Sequence, residues 1–587
     1  MKKIMNVMIL MVSMIIFQCC SADDPITDSS NTTWNSSSNN SSNSNSSSSS
    51  GSSSSGVASS ELVSLDIALD RTSAEPSTSA SEYFPEEEDN LDNNSFTTQV
   101  SIDLSAPVAK TENGVTITVN GGHITANHGS QKDICYVVTG STDNGSLTIL
   151  GEKKYEVQLN GVSITNPDSA ALNLLSGKRA FVVVSGTNTL SDGTSSKNDH
   201  KGALYCKGKL LFNGTGTLDV YGNYNNAIHS ADYIVLRKGI NVYAKSVANH
   251  GIKANDGVII NGGIVNVEVS AAAAKGINSE QNITINGGRT TVIATGNGTY
   301  EDNEAKGAAA IKCDSTFTMN GGELYAKATG SGGKGVDADW EAYITGGQLY
   351  AVTTGGTYTY NRDDASPKGI KVGEKNVHGL LNISGGTVKV RCAGSEGIES
   401  KGTITISDGT VQVLSSDDAI NAAGNLYLQG GNIVGVSTGN DGIDANGNMY
   451  IEGGNIVAYG AGGAEAGIDT SEQTKLYITG GSLFAIGGRI DASYATTTGS
   501  QAFLQTTGST TANATVTVSN GSTTMATFTL PPFNYNNGTI MVSAPGMQSG
   551  QSYTLSLGSS SQNLTATTTA SNGMGGMGGG NMPGGRW

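Results

Sequence analysis

The chain has 587 residues, 33 of them Lys or Arg and 50 Asp or Glu, for a formal charge of −17 at pH 7. That balance, with no basic patch to offset it, argues against nucleic acid as a partner. Glycine, at 80 residues, is about twice its average share, but it recurs at intervals and so marks turns rather than disorder.

In chain order, residues 1–20 within MKKIMNVMILMVSMIIFQCCS read as a signal peptide: Lys2 and Lys3, an apolar run, then cysteine. The run is short for a membrane span, which needs about 20 apolar residues. Cys20 followed by SADD resembles a lipoprotein processing site, with Cys20 as the lipidated residue. The serine-and-acid stretch after it resembles the surface-export tag of Bacteroidetes-type lipoproteins. The resemblance implies a lipid anchor as the only membrane attachment, and a place at the outer membrane on the cell surface. Residues 28–60 are almost wholly Ser and Asn and cannot bury enough surface to fold. A disordered tether is expected over 21–96, with the acidic PEEEDN segment continuing it.

The next 400 residues repeat. GNLYLQGGNIVGVS is followed by GNMYIEGGNIVAYG and TKLYITGGSLFAIG, so Gly430, Gly453 and Gly480 are equivalent, as are Gly262, Gly287, Gly321, Gly346 and Gly385. A period of about 22 to 27 residues marks a solenoid whose units cannot bury their apolar faces alone. Within a unit the apolar residues alternate with polar ones in short runs, which means strands. Three strands per period leave no room for a helix or a hairpin return. The expected fold is therefore all-β: a right-handed parallel β-helix over residues 97–490, the repeat first readable near Val115, with insertions at about 297–306 and 355–367. The Gly-Gly pair supplies the positive φ of a corner. Asn261, Asn286 and Asn320 precede it as a ladder, read here as residues that tolerate the left-handed conformation. Alternating runs in 491–570 suggest a small β cap, and 571–587 is a Gly/Met-rich disordered tail. Cys135, Cys206, Cys313 and Cys392 show no C-x-x-C spacing and are expected as buried free thiols.

Stacked coils turn single residues into columns. The phrase around KGI opens each coil, and its outward residue runs Lys253, Asn278, Lys312, Asp337, Lys371, Glu399, Asn421, Asp444, Asp469. The first part alternates in sign and reads as an ion-pair ladder. The later coils stack Glu396, Glu399, Asp417, Asp418, Asn421, Asn440, Asp441, Asp444 and Asp469, a set of hard oxygen donors suited to calcium. A solvated acidic edge is the other reading of that set. Tyr427, Tyr450 and Tyr477 share one outward position before the corner, with Tyr343 further back, and Tyr325 and Tyr350 share one after it. Such ribbons suit sugar rings, which offer apolar C–H faces, although stacking between neighbouring coils also explains them. Lys334 or Lys371 beside Asp337 could serve as the base of a β-elimination.

NNAIHSAD, NHGIKANDGVIINGG and above all SSDDAINAAGNLYLQGG…GNDGIDANGNMYIEGG resemble the bacterial carbohydrate-binding β-helix proteins first recognised in cellulose degraders, over roughly residues 113–490. The resemblance implies a β-helix shaped like the pectate lyases, bound calcium, and affinity for cellulose-like or polygalacturonate-like polysaccharide without established cleavage. Its DGIDAN phrase matches Asp441, Asp444 and Asn446, and the preceding coil matches Asp418 and Asn421. DDAINA in place of DGIDA makes Asn421 a weaker donor. The reading that follows is a non-catalytic, calcium-dependent, polysaccharide-binding surface lipoprotein. The alternatives are a calcium-dependent uronate lyase and an adhesin or structural surface protein.

Overall fold

The computed structural model describes residues 60–77, 81–197, 199–471, 474–490 and 500–570. The signal peptide, Cys20, the Ser/Asn-rich stretch up to residue 59 and the tail 571–587 lie outside the described residues.

Short alternating runs separated by glycine wind into a right-handed parallel β-helix. Each coil offers three strands: one before the Gly-Gly corner, one after it, and one that begins with the KGI phrase. Leu380–Cys392 and Thr403–Ser415 pass through the corner unbroken, so the first two faces merge into one 29-stranded sheet. The third face is a 16-stranded sheet, parallel from Gly122–Asn127 through Ile468–Thr470. The first parallel pairing is Thr98–Asp103 with Ile134–Thr139. Val115–Asn120, where the repeat becomes readable, runs antiparallel to both Lys110–Glu112 and Gly122–Asn127 and closes the N-terminal edge of the third sheet.

Parallel stacking places like on like. On the third face Ile252, Ile277, Ile311, Val336, Ile370, Ile398, Ile420, Ile443 and Ile468 align in one buried inward column. Each fully buried Ile or Val contributes about 1.5–3 kcal/mol relative to exposure. At the corner the second glycine takes the left-handed conformation, as in Gly288 at φ 74° and Gly454 at φ 81°. A Cβ on Gly288 would also lie 2.4 Å from the Gly263 carbonyl oxygen, so glycine is required twice over. The asparagine ladder has another cause than the one expected. Asn261, Asn286 and Asn320 are not left-handed; their amides bond along the axis, Asn286 Nδ2 donating to Asn261 Oδ1 and Asn320 Nδ2 to Asn286 Oδ1, each at 2.9 Å. The four cysteines are buried and free.

At the C-terminal end Tyr535–Ser543 adds antiparallel to the last coil strand, Ser482–Gly487, Phe503–Thr510 pairs antiparallel with Tyr535–Ser543 in turn, and a four-stranded sheet completes the cap. These elements do more than close the end. Val434, Val436, Val457, Tyr459, Phe484 and Ile486 form a cluster with Phe528, Leu530, Val542 and Leu555 of the cap. Apolar residues at outward positions are thereby buried.

The largest departure from expectation lies before residue 97. Residues 62–77 and 81–96, expected to continue the tether, are packed lengthwise along the β-helix as a strap. Leu62 joins the cluster of Val434 and Val457, and Arg391 donates to the Leu65 carbonyl. Going back toward the first coils, Lys327 pairs with Asp66 at 2.6 Å, Arg289 with Asp70 at 3.2 Å, Arg237 with Glu82 at 2.7 Å and Arg179 with Asp89 at 2.8 Å. Glu75 accepts from the backbone of Gly239 and Gly263, and Asn261 bonds Tyr83 through both amide atoms. Phe84, Leu91 and Phe96 pack on Phe181, Leu211, Tyr233, Val235 and Ile259. The acids of PEEEDN thus face arginine and lysine rather than solvent alone, Glu86 reaching both Arg179 and Lys209.

Asp89 is the buried acid of this strap, holding Arg179 Nε and accepting from the Tyr233 hydroxyl at 2.6 Å. Asp89→Ala leaves both donors short of a partner and should lower stability by about 2 kcal/mol. A urea melt would show the loss, and limited proteolysis would show earlier cleavage within 60–96. An unchanged cleavage rate would mean that the acid does not hold the strap.

Candidate functional site

The KGI strands present their outward residues in strict register, so the predicted column exists: Lys253, Asn278, Lys312, Asp337, Lys371, Glu399, Asn421, Asp444 and Asp469 are successive partners. Its first half is charge-paired. Lys371 lies 3.0 Å from Asp337, and Lys312 pairs with Asp339 and, at 3.4 Å, with Asp314. Burial opposes the charge on Lys371, yet Asp337 and Asp339 hold its ammonium above the usual lysine range, which unfits it as a base. Burial pushes Lys334 down.

Two members of the expected metal set belong to this paired half. Lys368 bonds Glu396 and lies 3.5 Å from Glu399, and Lys401 bonds Glu399. Both glutamates are neutralised by lysine rather than gathered with the later aspartates. Lys368 reaches them diagonally from the coil before, and Lys401 from two residues along, which reading down a single column does not reveal.

The following coils differ. Asp441, Asp444 and Asp469 bring one carboxylate oxygen each within 4.8 Å of one another. Asp441 is buried and accepts from the Ala466 amide at 2.5 Å, while Asp444 and Asp469 are half-buried. One coil earlier Asp418, also buried, accepts from the Asp441 amide at 3.0 Å and from Asn421 Nδ2 at 2.8 Å. Burial, then the nearby charges of Asp441 and Asp417, push its carboxyl up to about 7. Asp417 accepts from Asn440 Nδ2 at 2.9 Å. Asn446 is exposed at the next turn and accepts from the Ser471 hydroxyl at 3.0 Å. The structure therefore unites Asp441, Asp444 and Asp469, sets Asp418 and Asn421 beside them, and leaves Asp417 and Asn446 with other partners. Three carboxylates can give up to six hard oxygens, which fits calcium and suits no soft metal.

The tyrosine columns are also present. Tyr427, Tyr450 and Tyr477 stack with ring centroids 4.7 and 4.8 Å apart and planes within 6°. Tyr343 occupies the same column, separated from Tyr427 by Asn382 and Thr405. Tyr325 and Tyr350 stack at 4.9 Å and 5°. This geometry corrects how they could meet a sugar. Ring faces cover one another along the axis, so the ladder offers half-buried edges and a row of phenols rather than open faces. Asn425 Nδ2 donates to the Tyr427 hydroxyl and Asn448 Nδ2 to that of Tyr450, fixing the phenols in place. Tyr325 and Tyr350 share their strands' outer face with Lys327, to which the strap is tied, and Lys389 lies over Tyr350. Of the two ladders, the one at Tyr427–Tyr477 stands clear of the strap's anchors.

Of the two insertions, sequence reasoning offers only Tyr358 and Tyr360, with nearby Trp340, as an extension of the aromatic surface, and it does not foresee that the insertions meet. They form hairpins, Thr299–Glu301 with Glu304–Lys306 and Tyr358–Tyr360 with Asp363–Ala365, which line a groove of 860 Å³ over the third sheet. The lysine that opens AKGINS and GKGVDA was the available signal; Lys275 and Lys334 lie in this groove.

A family model for carbohydrate-binding domain-containing proteins matches residues 111–270, 241–419 and 377–528. No curated protein matches the chain. Among solved structures, that of a polysaccharide lyase-like protein from C. thermocellum, a gadolinium derivative, is 15% identical and covers 64% of this chain and 98% of that one, with a TM-score of 0.20. Superposition that loose supports no statement about the site. The family matches overlap and follow the coils from residue 111 to 528, well over half of the sequence. The chain belongs to the family of carbohydrate-binding domain-containing proteins.

Proposed function

We propose that the protein is a cell-surface lipoprotein that binds polysaccharide in a calcium-dependent manner and does not cleave it. Membership of a carbohydrate-binding family supports the ligand class. The observation that carries the metal is the meeting of Asp441, Asp444 and Asp469 on one face of adjacent coils. Calcium there would relieve the repulsion among stacked carboxylates and leave coordination positions open toward solvent. An acidic protein, at −17, can then meet a hydroxyl-rich or acidic glycan through the cation rather than against its own charge. The phenol row of Tyr427, Tyr450 and Tyr477 supplies hydrogen bonds along a chain-like ligand. Lipidation at Cys20, after the apolar run, would place the protein on the outer membrane by its anchor.

Affinity electrophoresis of residues 21–587 through gels of different polysaccharides, with calcium and with chelator, tests this directly. For neutral polysaccharides, retardation that chelator abolishes is expected. Chelator-insensitive retardation by a neutral polymer would move the contact to the tyrosines, and none on a broad panel would sink the reading. In the same gels Tyr450→Ala should weaken retention about fivefold or more, since it interrupts the phenol row.

Calcium at 100 times its dissociation constant should stabilise the fold by about 2.7 kcal/mol. Thermal melts should show that gain in the wild type and most of it lost in Asp444→Asn. Equal calcium shifts in both proteins would place the ion elsewhere.

The metal-free site also titrates. The Asp418 carboxyl stands near 7 when folded, above its ordinary value, so the folded state keeps a proton that the unfolded chain releases. Its contribution is complete below about pH 4 and is lost as pH rises to about 7, by up to about 4 kcal/mol. Urea melts in chelator should therefore weaken from pH 4.5 to 7.5, and Asp418→Asn should flatten that part of the profile. A wild-type profile already flat in that window would contradict the burial of this carboxyl.

A further inference from the structure

The groove over the third sheet is built where coils are otherwise tight. Its wall is the pair of hairpin insertions, held together by the Ala305 amide donating to Asp363 Oδ2 at 2.7 Å and by the Tyr300 and Tyr360 rings, whose centroids are 4.4 Å apart. Gly298 passes beneath Tyr358, where a Cβ would come within 2.4 Å of the ring. Long insertions of this kind in a compact repeat are usually functional.

Its floor is basic. Lys275, Ala309 and Lys334 are register partners, and so are Lys312, Asp337 and Lys371 in the adjoining column. The buried Asp337 is surrounded by the charges of Lys371, Lys312, Lys334 and Lys275, which together keep it ionised. Its ion pair goes to Lys371, and Lys312 goes to Asp339 and Asp314. Lys275 and Lys334 are left over. Among the described residues their ammonium groups bond only backbone carbonyls, those of Gly307 and Gly332, and neither lies within ion-pair distance of a carboxylate. Burial and the neighbouring lysines push Lys275 down to about 8. Both feel the charge of Asp337, but that acid is already paired with Lys371, and half-buried cations left to share one acid weaken a fold unless something anionic completes them. The groove's own spare acids, Glu301, Glu304, Asp364 and Glu374, are exposed on the rim, where water screens them.

Resting on the polysaccharide-binding reading above, we propose that this groove is a second saccharide site, in which Lys275 and Lys334 receive the anionic groups of a charged glycan. Two coil steps separate the lysines, about 10 Å of strand spacing, so they reach separate units of an extended chain rather than one small ion. Ala309 between them leaves the floor open for the ring. Recognition here is by direct ammonium–anion bonds and needs no calcium. The same face continues through Glu399 to Asp444 and Asp469. A polyanion lying along it would meet lysine first and metal-bearing carboxylates afterwards.

The test uses residues 21–587 in chelator, with a polyuronate, a dextran sulfate and a neutral β-glucan in the gels. Wild type should be retarded by at least one anionic polymer. Lys275→Met/Lys334→Met should lose that retardation about tenfold or more, whereas Lys275→Arg/Lys334→Arg, which keeps both charges, should retain it. A thermal melt confirms that the methionine variant is folded, Asp337 keeping Lys371 as its ion-pair partner. Loss toward the polyuronate identifies carboxylate as the recognised group, and loss toward dextran sulfate alone identifies sulfate. Unchanged retardation by both anionic polymers in the folded methionine variant overturns the site. So does a wild type that neither anionic polymer retards in chelator; calcium-restored retardation would then leave the proposed function standing without the groove.

Discussion

Parallel stacking in register is the constraint on which the rest of the molecule depends. Each residue has its equivalent about 4.8 Å above and below it, so no side chain has an environment of its own. Inside, the rule is favourable everywhere, because Ile on Ile and Val on Ile pack alike in every coil. Outside, it forces like groups together whether or not they attract. The chain answers in three ways: amides that donate to the amide below, as at Asn286; rings that stack, as at Tyr450; and charges that alternate, as at Lys371 and Asp337. The coils of Asp441, Asp444 and Asp469 instead let like charges coincide, and an anionic cluster in that setting is what a cation site requires.

A parallel solenoid also has two open ends and three long flanks. The N-terminal edge of the third sheet is closed by an antiparallel turn of chain, and the C-terminal edge of the post-corner ladder by Tyr535–Ser543, itself paired with Phe503–Thr510, so neither of these edges ends on bare backbone. The cap sheet covers the post-corner face of the last coils, and residues 84–96 of the strap cover the pre-corner face of the first coils at Phe181, Leu211, Val235 and Ile259. That leaves the pre-corner face of the later coils, with its tyrosines, and the third face, with its lysine groove and aspartates, as the surfaces open to ligands.

What could be read from sequence was whatever recurs. The glycine corner, the inward isoleucines, the KGI column and the tyrosine ladders each announce themselves by repetition, and their register follows from it. What could not be read was whatever occurs once. The strap has no period, and its Leu62, Ile67, Phe84 and Phe96 are too sparse to suggest a core of their own; they find one already built by the coils. Lys368 meets Glu396 across columns, so reading down a column misassigned that glutamate to a metal. The paired hairpins depend on two insertions, separated by more than 50 residues, folding beside one another. Periodicity predicts the frame on which such contacts are made, and says nothing of the contacts themselves.

The strap runs against the direction of the coils: residue 62 lies beside Val434 and Val457, whereas Phe96 leads into the first coil at Thr98. A pull on the upstream chain is therefore not delivered to the solenoid at its first coil. Drawn along the axis past the cap, the strap's ion pairs share the load in shear; drawn outward, they open one after another from Leu62. Complete release would pay out 35 residues, up to about 120 Å of extended chain, before any β-helix hydrogen bond was strained. Under tension the strap is a length of stored slack, ratcheted by single ion pairs, between the fold and whatever holds its N-terminus.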